Sequence, residues 1–265
     1  MFTDSHCHLT FPELIDTLPA IRQAMAAARV DRALCICTTL EEFAAVHKLA
    51  TTYDNFWASV GVHPDNEGVS EPDVERLVQL GQLPRVVAVG ETGLDYYRLG
   101  ARTHADMAWQ RERFRVHIRA ARALQKPLII HSRSAADDTL AILREEGEDG
   151  SAGCAGGVFH CFTESLAVAR QALDLGFYIS FSGIVTFKTA QDLRAVAAWV
   201  PQDRLLIETD SPYLAPTPFR GKVNNPSYLP YVAQQLAQLK GCSPETIGAQ
   251  TSQNFTRLFP GAKHL

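Results

Sequence analysis

Eight short apolar runs, each followed by a stretch with helical spacing, constrain this chain more than any other feature. The runs are Met1–Ser5, Ala33–Thr38, Trp57–Val62, Val86–Glu91, Pro127–His131, Gly157–Cys161, Phe177–Ser182 and Leu205–Glu208. Most are apolar almost without interruption, as in "RVVAVG", "PLII" and "RLLI". That is the pattern of strands covered on both faces in a parallel sheet. Between them, apolar residues recur at helical spacing over Leu14–Arg29, Leu40–Thr51, Pro72–Leu83, Asp106–Leu124, Ala135–Glu145, Leu166–Leu175 and Ala190–Val200. Eight such units predict an α/β chain folded as a (β/α)8 TIM barrel. An open, doubly wound sheet is the alternative, because local patterns do not reveal closure. Two further helices, Pro230–Lys240 and Pro244–Phe259, are expected to complete the outer layer, the second opened by Ser243 as N-cap and Pro244 in the first turn. With no long linker and no short-period repeat, residues 1–265 read as one domain.

The chemistry is carried by what ends these runs. His6 and His8 stand two apart after the first, and side chains i and i+2 on a strand share a face. Glu91 ends the fourth run, His131 the fifth, His160 the sixth, and Asp210 follows the eighth; His63 follows the third. Singly each has an ordinary role, Glu91 as a helix cap or Asp210 as the opening of a "DSP" turn. Together, at the end of a parallel barrel where active sites form, they make a nitrogen and oxygen donor set sized for two cations. We assign His6, His8, Glu91 and Asp210 to one ion, and Glu91, His131 and His160 to the other, with Glu91 bridging. Six residues fill this set, so His63 is expected to reach substrate or orient a neighbour. Without thiolates, the donors leave two divalent ions open among Mg, Mn and Zn. Paired ions can hold a water and lower its pKa from about 15.7 toward about 7, so the reaction class is hydrolysis.

Composition narrows the setting. The chain carries 25 Lys and Arg against 29 Asp and Glu, a net charge of −4, which argues against broad electrostatic clamping of nucleic acid but allows a local site. Six cysteines form no C-x-x-C pair, and they read as reduced thiols. No apolar secretory core follows Met1–Asp4 and no run reaches membrane-spanning length, so a cytoplasmic protein without membrane contact is expected.

The motifs "DSHCHL", "GVHP", "GETGLDYY", "HSR", "HCF", "ETDSPYLAP" and "RGKVNNP", in this order, resemble the signatures of the TatD family of metal-dependent hydrolases. The resemblance runs from Asp4 to "NFTRLF" near the end, and "DLGFYISFSGIVTF" and "RLLIETDSPYLAP" look closest to its YcfH-type branch. It implies a (β/α)8 barrel of the metal-dependent hydrolase type, with two metals on the residues named above. It also implies phosphodiester hydrolysis of the magnesium-assisted deoxyribonuclease kind, with DNA or another phosphodiester as the partner and no obligate protein partner. In that resemblance Glu91 and Asp210 are the catalytic carboxylates, Asp210 also handling a proton. Some members carry an Arg and an acid where Val223 and Asn225 stand here, which weakens the deoxyribonuclease expectation relative to the metal expectation.

Substrate contacts are expected from His63, from Arg133 two residues past His131, and from Arg220 and Lys222 in the loop after the eighth strand. Arg111, Arg115, Arg119 and Arg122 make one helical stripe and read as a solvated outer face. Tyr96, Tyr97 and Phe162 either stack on bases or pack the barrel mouth. Two rivals remain at this stage. One is a hydrolase of cyclic amides or esters on the same dinuclear site; the other is a non-catalytic barrel, against which all six ligands stand in place.

Overall fold

The computed structural model describes residues 1–262. Along the chain run β1 (Phe2–Cys7), α1 (Pro12–Ile15), α2 (Leu18–Ala27), β2 (Val30–Cys35), α3 (Phe43–Thr52), β3 (Phe56–Val60), α4 (Val74–Gly81), β4 (Val86–Asp95) and α5 (Ala108–Leu124). There follow β5 (Leu128–Arg133), α6 (Ala136–Glu145), β6 (Gly157–Phe159), α7 (Leu166–Asp174), β7 (Tyr178–Phe181), α8 (Gln191–Trp199), β8 (Leu205–Ile207), α9 (Leu229–Lys240) and α10 (Pro244–Leu258). The strands pair in sequence order, β1 to β8, all parallel. The sheet then curls until its ends meet: the Asp210 amide donates to the His6 carbonyl at 2.9 Å and the His8 amide to the Ser211 carbonyl at 2.8 Å. A nearly closed (β/α)8 barrel results, and the open-sheet alternative falls.

Neighbouring residues of several strands enter different apolar layers, which explains why those runs lack polar alternation. Ala33 and Cys35, Phe56 and Ala58, Leu128 and Ile130, and Leu205 and Ile207 pack with the helices. The residues between them, Leu34, Trp57, Ile129 and Leu206, join Val158 and Tyr178 in a separate cluster inside the barrel. Phe255 of α10 and Phe259 just past it belong to that inner cluster, with Phe255 against Trp57 at 6.1 Å between ring centres. The last helix therefore does more than extend the outer layer, since its aromatic end plugs the barrel interior.

Three local differences from the expected elements have clear causes. The helix expected over Leu14–Arg29 breaks into α1 and α2, because Pro19 lies in the first turn of a new helix and has no N–H to continue the old one. β4 does not stop at Glu91 but runs to Asp95, Gly93 pairing with His131 and Asp95 with Arg133. The arginine stripe on α5 is less a solvated face than an ion-pair seam: Arg115 meets Glu145 at 2.6 Å, Arg119 meets Glu146 at 2.8 Å and Arg122 meets Glu148 at 2.9 Å. Among the described residues, no helix is long and apolar enough to cross a membrane, and all six cysteines are free.

Candidate metal centre

Strand ends bring the donors together from across the chain. His6 lies in β1 and His8 one residue past it; Glu91 lies within β4 and His131 within β5. His160 directly follows β6, and Asp210 stands three residues past β8. Asp210 sits at φ +53°, a left-handed conformation that Asp tolerates better than most residues. Asn224 holds that turn from both sides: its buried side-chain amide donates to the carbonyls of Thr209 at 2.9 Å and Tyr213 at 2.7 Å.

Glu91 is the hub. It is 3% exposed, and five imidazoles approach it: His160 at 2.7 Å, His6, His63 and His131 at 3.3 Å, and His8 at 3.8 Å. No lysine or arginine among the described residues pairs with it. One carboxylate oxygen faces His6 and His8, the other faces His63, His131 and His160. Asp210 lies on the first side, 3.6 Å from His6 and 3.4 Å from His8. The two Nε2 atoms of His6 and His8 are 3.2 Å apart.

The six expected ligands thus converge. His63, expected as a substrate contact, belongs geometrically with the donors: its Nε2 is as close to Glu91 as His131 Nδ1 is, and the two rings are 4.5 Å apart. His6, His8 and Glu91 form one compact donor group, and His63, Glu91 and His131 form another.

Charge explains why such a cluster suits cations. Burial alone would raise the carboxyl of Glu91, but the charges of His160, His63 and His6 and the bond from His131 hold it well below the usual carboxylate range. Asp210 is likewise held low against burial by its bond to His8 and by the charge of His6. Burial pulls His6 and His63 down. It pulls on His160 too, yet Glu91 and Glu208 outweigh it and push that ring well up. A buried carboxylate ringed by imidazoles must have positive charge from somewhere. Protons could supply it by charging the rings, two of which, His6 and His160, stack at 3.8 Å between centres. Divalent ions supply it with every imidazole neutral, and the nitrogen and oxygen donors fit them.

Two carboxylates that sequence reasoning passed over orient these ligands. Asp95 takes the far nitrogen of His131 at 3.0 Å, and Glu208 takes Nδ1 of His160 at 3.2 Å and the Cys161 amide at 2.8 Å. Each leaves the ring's other nitrogen turned to Glu91. Such partners fix tautomer and ring direction. The signals were present: Glu91, Gly93 and Asp95 alternate along one strand, and Glu208 precedes Asp210 by two. Asp4 adds a third support, accepting from the amides of His6 and Thr209 and from the Thr209 hydroxyl at 2.6 Å; burial pushes its carboxyl up to about 7.

Above the cluster opens a cleft of about 800 Å³. Arg133 lines it, as does Arg98, which was not anticipated. Arg220 and Lys222 are not on its wall; Arg220 stacks on Phe187 at 3.5 Å and Lys222 lies over Phe219 at 5.7 Å. Of the aromatic candidates, Tyr96 and Phe162 are buried packing, whereas Tyr97 is exposed beneath the Arg133 guanidinium at 3.7 Å.

Comparison with known proteins agrees with this geometry. The family model described as "TatD related DNase" matches residues 3–260. The chain is similar to the uncharacterized metal-dependent hydrolase YcfH of Escherichia coli K12, at 48% identity over 97% of this chain and 94% of that one. It is also similar to the protein named 3'-5' ssDNA/RNA exonuclease TatD of Citrobacter rodentium, at 33% identity over 97% of both. Among solved structures it matches YjjV, a TatD homologue from E. coli K12, with a TM-score of 0.88, 31% identity and 98% of each chain covered. Motif order, barrel and relatives agree: the chain belongs to the TatD family of metal-dependent hydrolases.

Proposed function

We propose that this hydrolase cleaves phosphodiester bonds, with DNA as its substrate, and that two divalent ions (Mg, Mn or Zn) serve it. The supporting observation is the pairing of a buried carboxylate ringed by imidazoles, at the floor of a cleft, with two guanidinium groups, Arg98 and Arg133, on the wall. His6, His8, Glu91 and Asp210 would hold one ion; Glu91, His131 and His160, with His63 beside them, would hold the other. Bound cations supply Lewis acidity and a water acidified to near-neutral pKa. Glu91 and Asp210 keep their charge despite burial. Asp210, on the cleft side of the cluster, accepts the proton that the attacking water gives up. Arg98 and Arg133 meet the negative charge that grows on the phosphoryl oxygens. Guanidiniums at this place favour an anionic diester over a neutral cyclic amide or ester. The name of the 33%-identical Citrobacter relative points to the same substrate class.

The test sets a small phosphodiester, a single-stranded oligonucleotide and a cyclic amide side by side, each with Mg²⁺, Mn²⁺ or Zn²⁺. Cation-dependent cleavage of both diesters is expected. Asp210→Asn should lower the rate by about two to four orders of magnitude while circular dichroism and melting stay as in the wild type. Turnover of the amide alone would overturn the substrate assignment, and full activity in Asp210→Asn would remove that residue from the chemistry.

A further inference from the structure

The cleft has two unlike walls. Arg98 and Arg133 stand on one, and Phe11, Ile184, Tyr213 and Leu214 on the other. The aromatic members of the second wall are tied to the metal-ligand candidates by the same local device. The Phe11 amide donates to the His8 carbonyl, three residues back, at 3.0 Å; the Tyr213 amide donates to the Asp210 carbonyl, also three back, at 3.0 Å. His8 and Asp210 are themselves 3.4 Å apart. Two turns from opposite ends of the chain therefore place two rings beside one metal position. Phe11 stacks on the His8 imidazole at 4.6 Å with 22° between planes, and Tyr213 meets Phe11 edge-on at 6.3 Å. Tyr213 remains 52% exposed, and aromatic side chains beside a cationic groove are the platforms on which bases stack.

We propose that Phe11 and Tyr213 form a nucleobase-stacking wall that sets the enzyme's preference for unpaired bases. The proposal rests on the phosphodiesterase reading above and deepens it. A phosphate held at the metal centre leaves its neighbouring base within reach of the aromatic wall, while the onward backbone lies toward Arg98 and Arg133. Cation on one side and π-face on the other is the pairing that single strands need. A base inside a duplex is stacked and paired, so its face is not offered. Sequence tolerance follows as well, because every base has a π-face.

The test uses the full chain loaded with Mn²⁺ and three substrates of equal length: a single-stranded oligonucleotide, an abasic oligomer with the same backbone, and a duplex. The wild type should prefer the base-bearing single strand over both others in kcat/KM. Tyr213→Ala should shrink its preference over the abasic oligomer about 5- to 140-fold, the range that one stacked base supplies. Tyr213→Phe, which keeps the ring, should retain the preference, and Phe11→Ala should shrink it in the same sense. If Phe11→Ala does not fold, the Tyr213 pair decides alone. Equal losses on base-bearing and abasic oligomers, or equal wild-type rates on both, would overturn the wall and leave the phosphodiesterase reading standing. A wild type that cleaves small diesters but no oligonucleotide would overturn it too; no diester cleavage at all would sink both readings.

Discussion

Glu208 shows how much of this centre depends on groups that never face the cleft. Fully buried, it spends one oxygen on the His160 ring and the Cys161 amide, so its charge and direction are both engaged in aiming one imidazole. Glu208→Gln keeps the shape but weakens the hold on Nδ1. We expect metal affinity to fall about 10- to 100-fold, read by calorimetric titration, with the fold retained. His6, His8, Glu91, His131, His160 and Asp210 could be picked out as candidates in the sequence because each closes or follows an apolar run, and a barrel brings the ends of such runs together. Asp95 and Glu208 were harder to pick out, since each acts on a ring from a different strand and spacing along its own strand does not name that partner. Arg220 and Lys222 follow the eighth strand too, but lie over Phe187 and Phe219 and do not line the cleft.

Elements, unlike single ligands, report through stability. α5 carries His117, fully buried, whose Nε2 accepts the Val62 amide at 2.9 Å and whose Nδ1 donates to the Arg113 carbonyl at 2.8 Å. The ring joins the helix to the segment leading to His63. Burial lowers its pKa from 6.5 to about 4. Between these values the unfolded chain binds a proton that the folded one refuses, so stability rises with pH across that window. The contribution is fully present above pH 6.5 and is lost as pH falls toward 4, amounting to at most about 3 kcal/mol. Melting temperature should therefore drop on acidification through this range, and His117→Gln should drop less; parallel slopes for the two proteins would refute the assignment. Element order was readable from periodicity alone. Limits were harder where one residue overrides the pattern, as Pro19 does in α2, or where polar side chains continue a strand, as Glu91 to Asp95 do in β4.

For the whole molecule the donor cluster is a thermodynamic load as well as a reagent. Five imidazoles crowd one buried carboxylate, so cations that bind only the folded form must stabilise it. At a concentration of about one hundred times Kd, each independent site adds about 2.7 kcal/mol. Chelation should lower the melting temperature by several degrees and re-addition of Mn²⁺ or Zn²⁺ should restore it. An unchanged melting curve would argue that the folded chain holds no such ions. The barrel's last joint is made by His6 and His8 bonding to Asp210 and Ser211, and three of these, His6, His8 and Asp210, are donors proposed for one ion. During synthesis on a ribosome, a chain that has not yet emitted those late residues owns neither a sealed wall nor a full set of donors. The hydrolysis proposed for this cluster would therefore have to wait until the cylinder is complete.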